Sequence, residues 1–218
     1  MRLLSALCLS FFATGVFACS APVCLVDPDS LPLVRIITFE DVQSGAGPGR
    51  HLDEVLPLDG AAFGERFAGQ FVTPAQPHPH DQIMGQALAP LTILPGAEGQ
   101  NLSVVHFQGN TVINGYGTAG FPRRDGQGEG AIAVLFDNDQ SDLAFDLRGG
   151  EAGVATVTFL RRDGSVIHVV PIDPTGEFGV GFTRGDGTRD IAGFVLTNTD
   201  PQGLALDTLR FGTPADLS

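Results

Sequence analysis

Short apolar runs alternate along this chain with glycine, proline, asparagine and aspartate, and no stretch sustains a helical period. The pattern predicts strands at 34–39, 61–72 (long enough for two), 91–94, 101–107, 111–116, 131–137, 143–147, 154–161, 165–171, 177–183, 191–197 and 204–211. A turn residue bounds each of them. Several alternate in polarity with the period of two that turns one strand face to a core. Val154-Ala155-Thr156-Val157-Thr158-Phe159 sets Val157 and Phe159 on one face and both threonines on the other. The run 177–182 sets Phe178, Val180 and Phe182 together. Arg162-Asp163-Gly164 reads as a hairpin turn, and Asp139 to Asp142 as another turn. Many short strands at regular spacing, without a capped helix, predict an all-β domain: a two-sheet antiparallel β-sandwich of jelly-roll-like form. Residues 73–90, TPAQPHPHDQIMGQALAP, alternate least and are expected to form a long surface loop.

The first residues form a different unit. Met1-Arg2 precedes an apolar run, Leu3 to Val16, that is shorter than the ~20 residues of a membrane-spanning helix. A basic start, a short apolar stretch and Val16-Phe17-Ala18 read as a signal peptide cleaved after Ala18. The expected organisation is a signal peptide at 1–18, a proline-containing leader at 19–33, a β-sandwich domain at 34–212 and a tail at 213–218. The mature chain is then exported to a periplasmic or extracellular space, with no transmembrane segment. Cys19 has alternative fates. Val16-Phe17-Ala18-Cys19 resembles the bacterial lipobox, which would acylate Cys19 and anchor the chain in lipid. A Cys19–Cys24 disulfide is equally compatible with export. Cleavage after Ala21 would instead leave Cys24 alone.

Composition narrows the function classes. The net charge is −13 and the sequence pI about 4.5, and all twelve basic residues are arginine. An acidic chain without basic clusters argues against nucleic acid as a partner. The absence of lysine excludes Schiff-base and P-loop chemistry. There is no Gly-x-Ser-x-Gly elbow and no His-Glu-x-x-His helix. The chain is therefore expected not to be an enzyme. Glu65 and Glu129, both in glycine-rich surroundings, are the first candidates if it were a glycan hydrolase.

Candidate binding chemistry concentrates at the two ends of the globular part. The first strand runs into Phe39-Glu40-Asp41, and the last reads Leu204-Ala205-Leu206-Asp207-Thr208-Leu209-Arg210-Phe211. In a regular strand Asp207 shares a face with Leu209 and Phe211 and points inward; Leu204 and Leu206 have the opposite parity, so a bulge or two buried faces is the alternative. A buried carboxylate needs a partner. Glu40, Asp41 and Asp207 together offer hard oxygens suited to Ca2+, while hydrogen bonds to amides or an arginine are the alternative. Asp137, Asp139 and Asp142 form a second, weaker cation candidate, for which an acidic turn is the alternative. His78-Pro79-His80-Asp81 could hold Zn2+ or Cu2+, or be a solvated loop.

Phe39-Glu40 in the first strand and Asp-x-Leu-x-Phe in the last resemble the calcium-bearing jelly-roll modules of the carbohydrate-binding type. Gly64-Glu65-Arg66-Phe67-Ala68-Gly69-Gln70, Gly128-Glu129-Gly130-Ala131 and Phe136-Asp137 resemble exported bacterial β-sandwich proteins. The resemblance spans about residues 34–212. It implies a structural calcium between Glu40 and Asp207 and a polysaccharide or an envelope component as partner. Such modules stack sugars on tryptophan or tyrosine. This chain has no tryptophan and one tyrosine, so the implied platform falls on Tyr116 with the nearby Asn114. The expected function is an exported non-catalytic binding module for glycan or matrix. A structural or adhesive envelope protein without a small-molecule site is the alternative, and a secreted glycan-active hydrolase comes third.

Overall fold

The computed structural model describes residues 19–75, 80–150, 152–173 and 176–214. The expected signal peptide, His78, Pro79 and the end of the tail lie outside the described residues. Two antiparallel sheets face each other. The larger, eight-stranded sheet runs in the order β1 (Cys24–Val26), β16 (Gly179–Thr183), β13 (Asp142–Gly149), β18 (Leu204–Phe211), β11 (Asn110–Gly115), β10 (Leu102–Phe107) and β3 (Arg50–Leu52), with β2 (Arg35–Ile37) also paired to β18. The smaller runs β15 (Val166–Ile172), β14 (Ala155–Leu160), β17 (Ile191–Asn198), β12 (Ile132–Gln140), β5 (Ala61–Gly64) and β4 (Leu56–Leu58). Two ribbons complete the structure: β6 (Arg66–Phe67) with β9 (Ile93–Leu94), and β7 (Phe71–Pro74) with β8 (Asp81–Met84). The predicted β-sandwich is the observed one.

Period-two alternation builds the core between the sheets. Leu143, Phe145 and Leu147 on β13 meet Val157 and Phe159 on β14 and Ile132, Val134 and Phe136 on β12. Phe194 on β17 is the hub. Its ring centroid lies 5.5 Å from that of Phe145 and 6.1 Å from those of Phe136 and Phe159. β2 and β18, within the first and last predicted strands, lie side by side, with Ile37 opposite Leu209 and Arg35 opposite Phe211. Of the predicted face Phe178, Val180 and Phe182, the last two are in the core and Phe178 is exposed.

Three expectations are corrected. The stretch 73–90 is not simply a surface loop. Its first residues and its middle form the β7–β8 ribbon, and Ala87, with the adjoining Leu91, joins Phe67, Ile93, Ala133 and Val195 in a second core on the outer face of the smaller sheet. The leader 19–33 is not a detached linker. Leu25 pairs with Phe182, so β1 is an edge strand of the larger sheet, and Asp27 caps the short 3-10 turn that follows. Cys19 and Cys24 form a disulfide with Cα atoms 6.0 Å apart. The single apolar face of so short a strand gives too little periodicity to read. The turn expected at Asp139 to Asp142 is also tighter than predicted, because β12 continues to Gln140 and β13 begins at Asp142.

Truncating the hub ring is expected to cost most. Phe194→Ala should lower the unfolding free energy by roughly 3–5 kcal/mol, the usual cost of emptying a phenylalanine site in a packed core. Urea denaturation followed by circular dichroism checks this; a loss within ~1 kcal/mol would contradict the packing described.

Candidate functional site

The outer face of the larger sheet carries an open groove of about 930 Å3. Alternation decides what lines it. On β10, Leu102 belongs to the core, so Val105 and Phe107 face outward. On β11, Ile113 points inward and Asn110, Val112 and Asn114 face the groove. Leu143, Phe145 and Leu147 of β13 likewise leave Arg148 on the outside. The β10–β11 hairpin closes through Gln108 (φ 52°) and Gly109 (φ 80°), the two left-handed residues of a tight hairpin turn. That turn leaves Phe107 at the hairpin tip, 67% exposed. Arg124 and Gln127 come from the connection between β11 and β12.

Asp207 sits beneath this groove, which corrects the expected inward orientation. Leu204 and Leu206 point to the core. Thr208 then adopts φ 37°, and the pairing with β13 slips, Ala144 facing Arg210 and Asp146 facing Asp207. The extra residue is a bulge that reverses parity. Leu209 and Phe211 therefore also point inward, while Asp207 stays on the outer face with Ala205. Its side chain is nevertheless covered, with 2% of the residue exposed. Asn110 Nδ2 donates to Asp207 Oδ2 at 2.8 Å, Arg148 Nε donates to the same oxygen at 3.0 Å, and the Thr208 hydroxyl donates to Oδ1 at 3.0 Å. Charge-assisted bonds of this kind are what make a buried carboxylate tolerable.

Glu40 reaches the same strand from the other terminus. Phe39 adopts φ 61° and ends β2 in a turn, buried against Phe63 at a centroid distance of 5.2 Å. Glu40 Oε1 accepts from the Thr111 amide at 2.7 Å, and Oε2 accepts from the Thr111 hydroxyl at 2.9 Å. Glu40 and Asp207 thus grip consecutive residues of β11, one by backbone and hydroxyl, the other by a side-chain amide.

This donor set does not suit calcium, which takes roughly six to eight oxygens. The carboxylates are engaged by amide, hydroxyl and guanidinium donors, and the Arg148 charge stands where a cation would meet Asp207. Asp41 is exposed. Asp137 and Asp139 lie within β12, not in a wrapping loop, and Arg162 donates to Asp139 Oδ1 through Nε at 3.0 Å and Nη2 at 2.6 Å. Asp142 accepts from the Ser141 hydroxyl. Among the described residues no three His, Cys, Asp or Glu side chains gather as a metal site.

The predicted pair Tyr116 and Asn114 separates. Tyr116 is fully buried, its ring 5.6 Å from Phe121, and offers no face to a ligand. Asn114 does line the groove. It is 5% exposed, and among the described residues its Nδ2 has no hydrogen-bond partner. Sequence reasoning missed Phe107, Arg124, Gln127 and Arg148. The Gln108-Gly109 turn was the available signal for Phe107, since it puts that ring at a hairpin end.

A second polar region lies elsewhere, against the smaller sheet. Glu65, Asp81 and Glu129 are all buried. Asp81 Oδ2 accepts from the Ala131 amide at 3.0 Å, and the Asp81 amide donates to the Glu129 carbonyl at 3.1 Å. Burial pushes the Asp81 carboxyl up to about 7, opposed by the Ala131 hydrogen bond, raised further by the Glu65 and Glu129 charges, and lowered by Arg66. Burial also raises Glu65, against the pull of the adjoining Arg66, to which it is ion-paired. Asp81 and His80 border a cavity of about 640 Å3 that Thr156 and Thr158 also line. The two glutamates named from sequence thus converge, and on an aspartate read there only as a metal ligand.

No protein-family model matches the chain, and no curated protein matches it. Among solved structures it is similar to a family 29 carbohydrate-binding module, determined as a mutant in complex with mannohexaose. The identity is 13% and the TM-score 0.21, over 60% of this chain and 93% of that one. No residue here takes a role from so slight a likeness.

The acid cluster makes stability depend on pH with a definite sign. An unfolded Asp81 ionises near 3.8, and the folded one near 7. The folded state therefore holds the extra proton between those values, and stability falls as pH rises through that window. Asp81→Asn keeps an acceptor for the Ala131 amide and removes the titration. Relative to wild type it should gain on the order of a few kcal/mol between pH 4 and pH 8. Melting temperatures across that range check it; a difference that does not change with pH would contradict the assignment.

Proposed function

We propose that this chain is an exported, non-catalytic polysaccharide-binding β-sandwich, and that its site is the groove on the larger sheet. The observation that carries the reading is Asn114. A buried amide without a partner costs roughly 1–3 kcal/mol, and this one borders an open groove. A ligand hydroxyl would satisfy it. Asn110, Gln127, Arg124 and Arg148 surround it with planar polar groups that match paired hydroxyls, and Phe107 offers an aromatic face at the hairpin tip. Few polar groups placed around apolar surface are the general form of a small-ligand site. Export is supported by the Cys19–Cys24 disulfide, since such bonds persist in oxidising compartments. That sulfur is also the one acylation would need, so the disulfide favours a soluble chain over a lipid-anchored one. Among the described residues no helix is long and apolar enough to cross a membrane.

A secreted glycan hydrolase is the second reading, favoured by Asp81 with its raised pKa at the edge of the 640 Å3 cavity. A carboxyl that titrates near neutral pH suits general acid work. Release of reducing ends from a polysaccharide by wild type, lost in Asp81→Asn, would support that reading over the first.

Affinity electrophoresis against a panel of soluble polysaccharides tests the binding reading. At least one glycan should retard the wild-type chain. Asn114→Ala should weaken that binding about ten-fold, the ~1–1.5 kcal/mol of one buried hydrogen bond, and Phe107→Ala should weaken it as well. Binding should be unchanged in EDTA. Failure to bind any glycan in the panel would overturn the proposal.

A further inference from the structure

Two guanidinium groups, those of Arg124 and Arg148, line the groove of this acidic chain. Acids outnumber arginines by 25 to 12 in the chain. Most arginines accordingly find carboxylates: Arg161 and Arg184 meet Asp190, Arg162 meets Asp139, and Arg210 meets Asp29 and Asp146. Arg123 pairs with Asp125, yet its neighbour Arg124, which lines the groove, has no carboxylate partner among the described residues. Arg148 is held differently. Its Nε is fixed by the buried Asp207 at 3.0 Å, its side chain remains 41% exposed, and it also lines the groove. A guanidinium fixed along one edge keeps its two terminal nitrogens as a forked donor, and that fork matches a carboxylate. Among the described residues Glu177 is the one carboxylate lining the groove.

Building on the polysaccharide-binding reading, we propose that the groove selects an acidic glycan, one whose sugars carry carboxylates, and that Arg124 and Arg148 receive those groups. Asp207 acts as a positioning residue for Arg148. Asn114 serves a hydroxyl and contributes to neutral and acidic ligands alike. Glu177 opposes the anion and sets an upper limit on affinity.

Isothermal titration with polygalacturonate and its methyl ester tests this, because the backbone is shared and only the charge differs. Dextran and dextran sulfate form a second pair that separates carboxylate recognition from attraction to any polyanion. The acid should bind at least ten-fold tighter than the ester, with a preference that shrinks as salt rises. Dextran sulfate should gain less over dextran than the acid gains over its ester. Arg124→Gln, at an exposed position and with unchanged melting temperature, should bring acid and ester within about three-fold of each other. Glu177→Gln should strengthen binding of the acid more than that of the ester. Equal affinity for acid and ester, an Arg124→Gln variant that keeps the full preference, or a larger gain for dextran sulfate would each overturn the proposal while leaving glycan binding intact. Binding to none of the four would overturn the proposal, and binding to no glycan of the wider panel would overturn the underlying reading as well.

Discussion

Asp207 is a carboxylate placed in a central strand of the larger sheet with almost no exposure, and the outer face is organised around its need for donors. Its neighbours on both sides supply them: Asn110 from β11 and Arg148 from β13, each at the diagonal position where same-face side chains meet. Removing one partner of such a pair leaves an uncompensated charge, so the three residues stand or fall together. Because Arg148 spends its Nε on this task, its orientation toward the groove is fixed before any ligand arrives. Glu40, through Thr111, ties the first strand's end to the same hairpin. The polar floor of the groove and the closure of the sheet therefore share one set of bonds.

Period-two alternation made the sandwich legible. The two faces of β14 and the inward residues of β12 follow directly from side-chain parity. Asp207 shows where parity alone misleads. The positive φ at Thr208 inserts one residue, and everything after it changes face. Threonine at that position carries no such signal; the opposite parity of Leu204 and Leu206 was the one sign of a bulge, and it did not say where the extra residue falls. The ribbon β7–β8 and the edge strand β1 were hidden for a related reason. Strands of three or four residues, one face of which is exposed, give no period to count.

The candidate site was legible in part. Asn114 was named, but beside Tyr116, the one tyrosine in a chain without tryptophan. Tyr116 is instead a packed ring, and the exposed aromatic of the groove is Phe107. Aromatic scarcity pointed at residue type, while exposure is decided by hairpin geometry. The acidic signature, read as metal chemistry, is satisfied by arginine, asparagine and threonine, whose donors come from strands distant in sequence. Glu65 and Glu129 stood out by their glycine settings, yet their meeting with Asp81 depends on the β7–β8 ribbon folding back.

Two polar systems thus occupy opposite sides of one core: a groove with an unsatisfied amide and fixed guanidinium, and a buried acid cluster beside a smaller cavity. Nuclear magnetic resonance on the 15N-labelled chain titrated with an acidic oligosaccharide distinguishes them most directly. The account predicts shifts in the Asn114 side-chain amide and in the backbone amides of 105–114 and 148–149. Shifts centred on 80–82 and 156–158, or no shifts at saturating ligand, would contradict it.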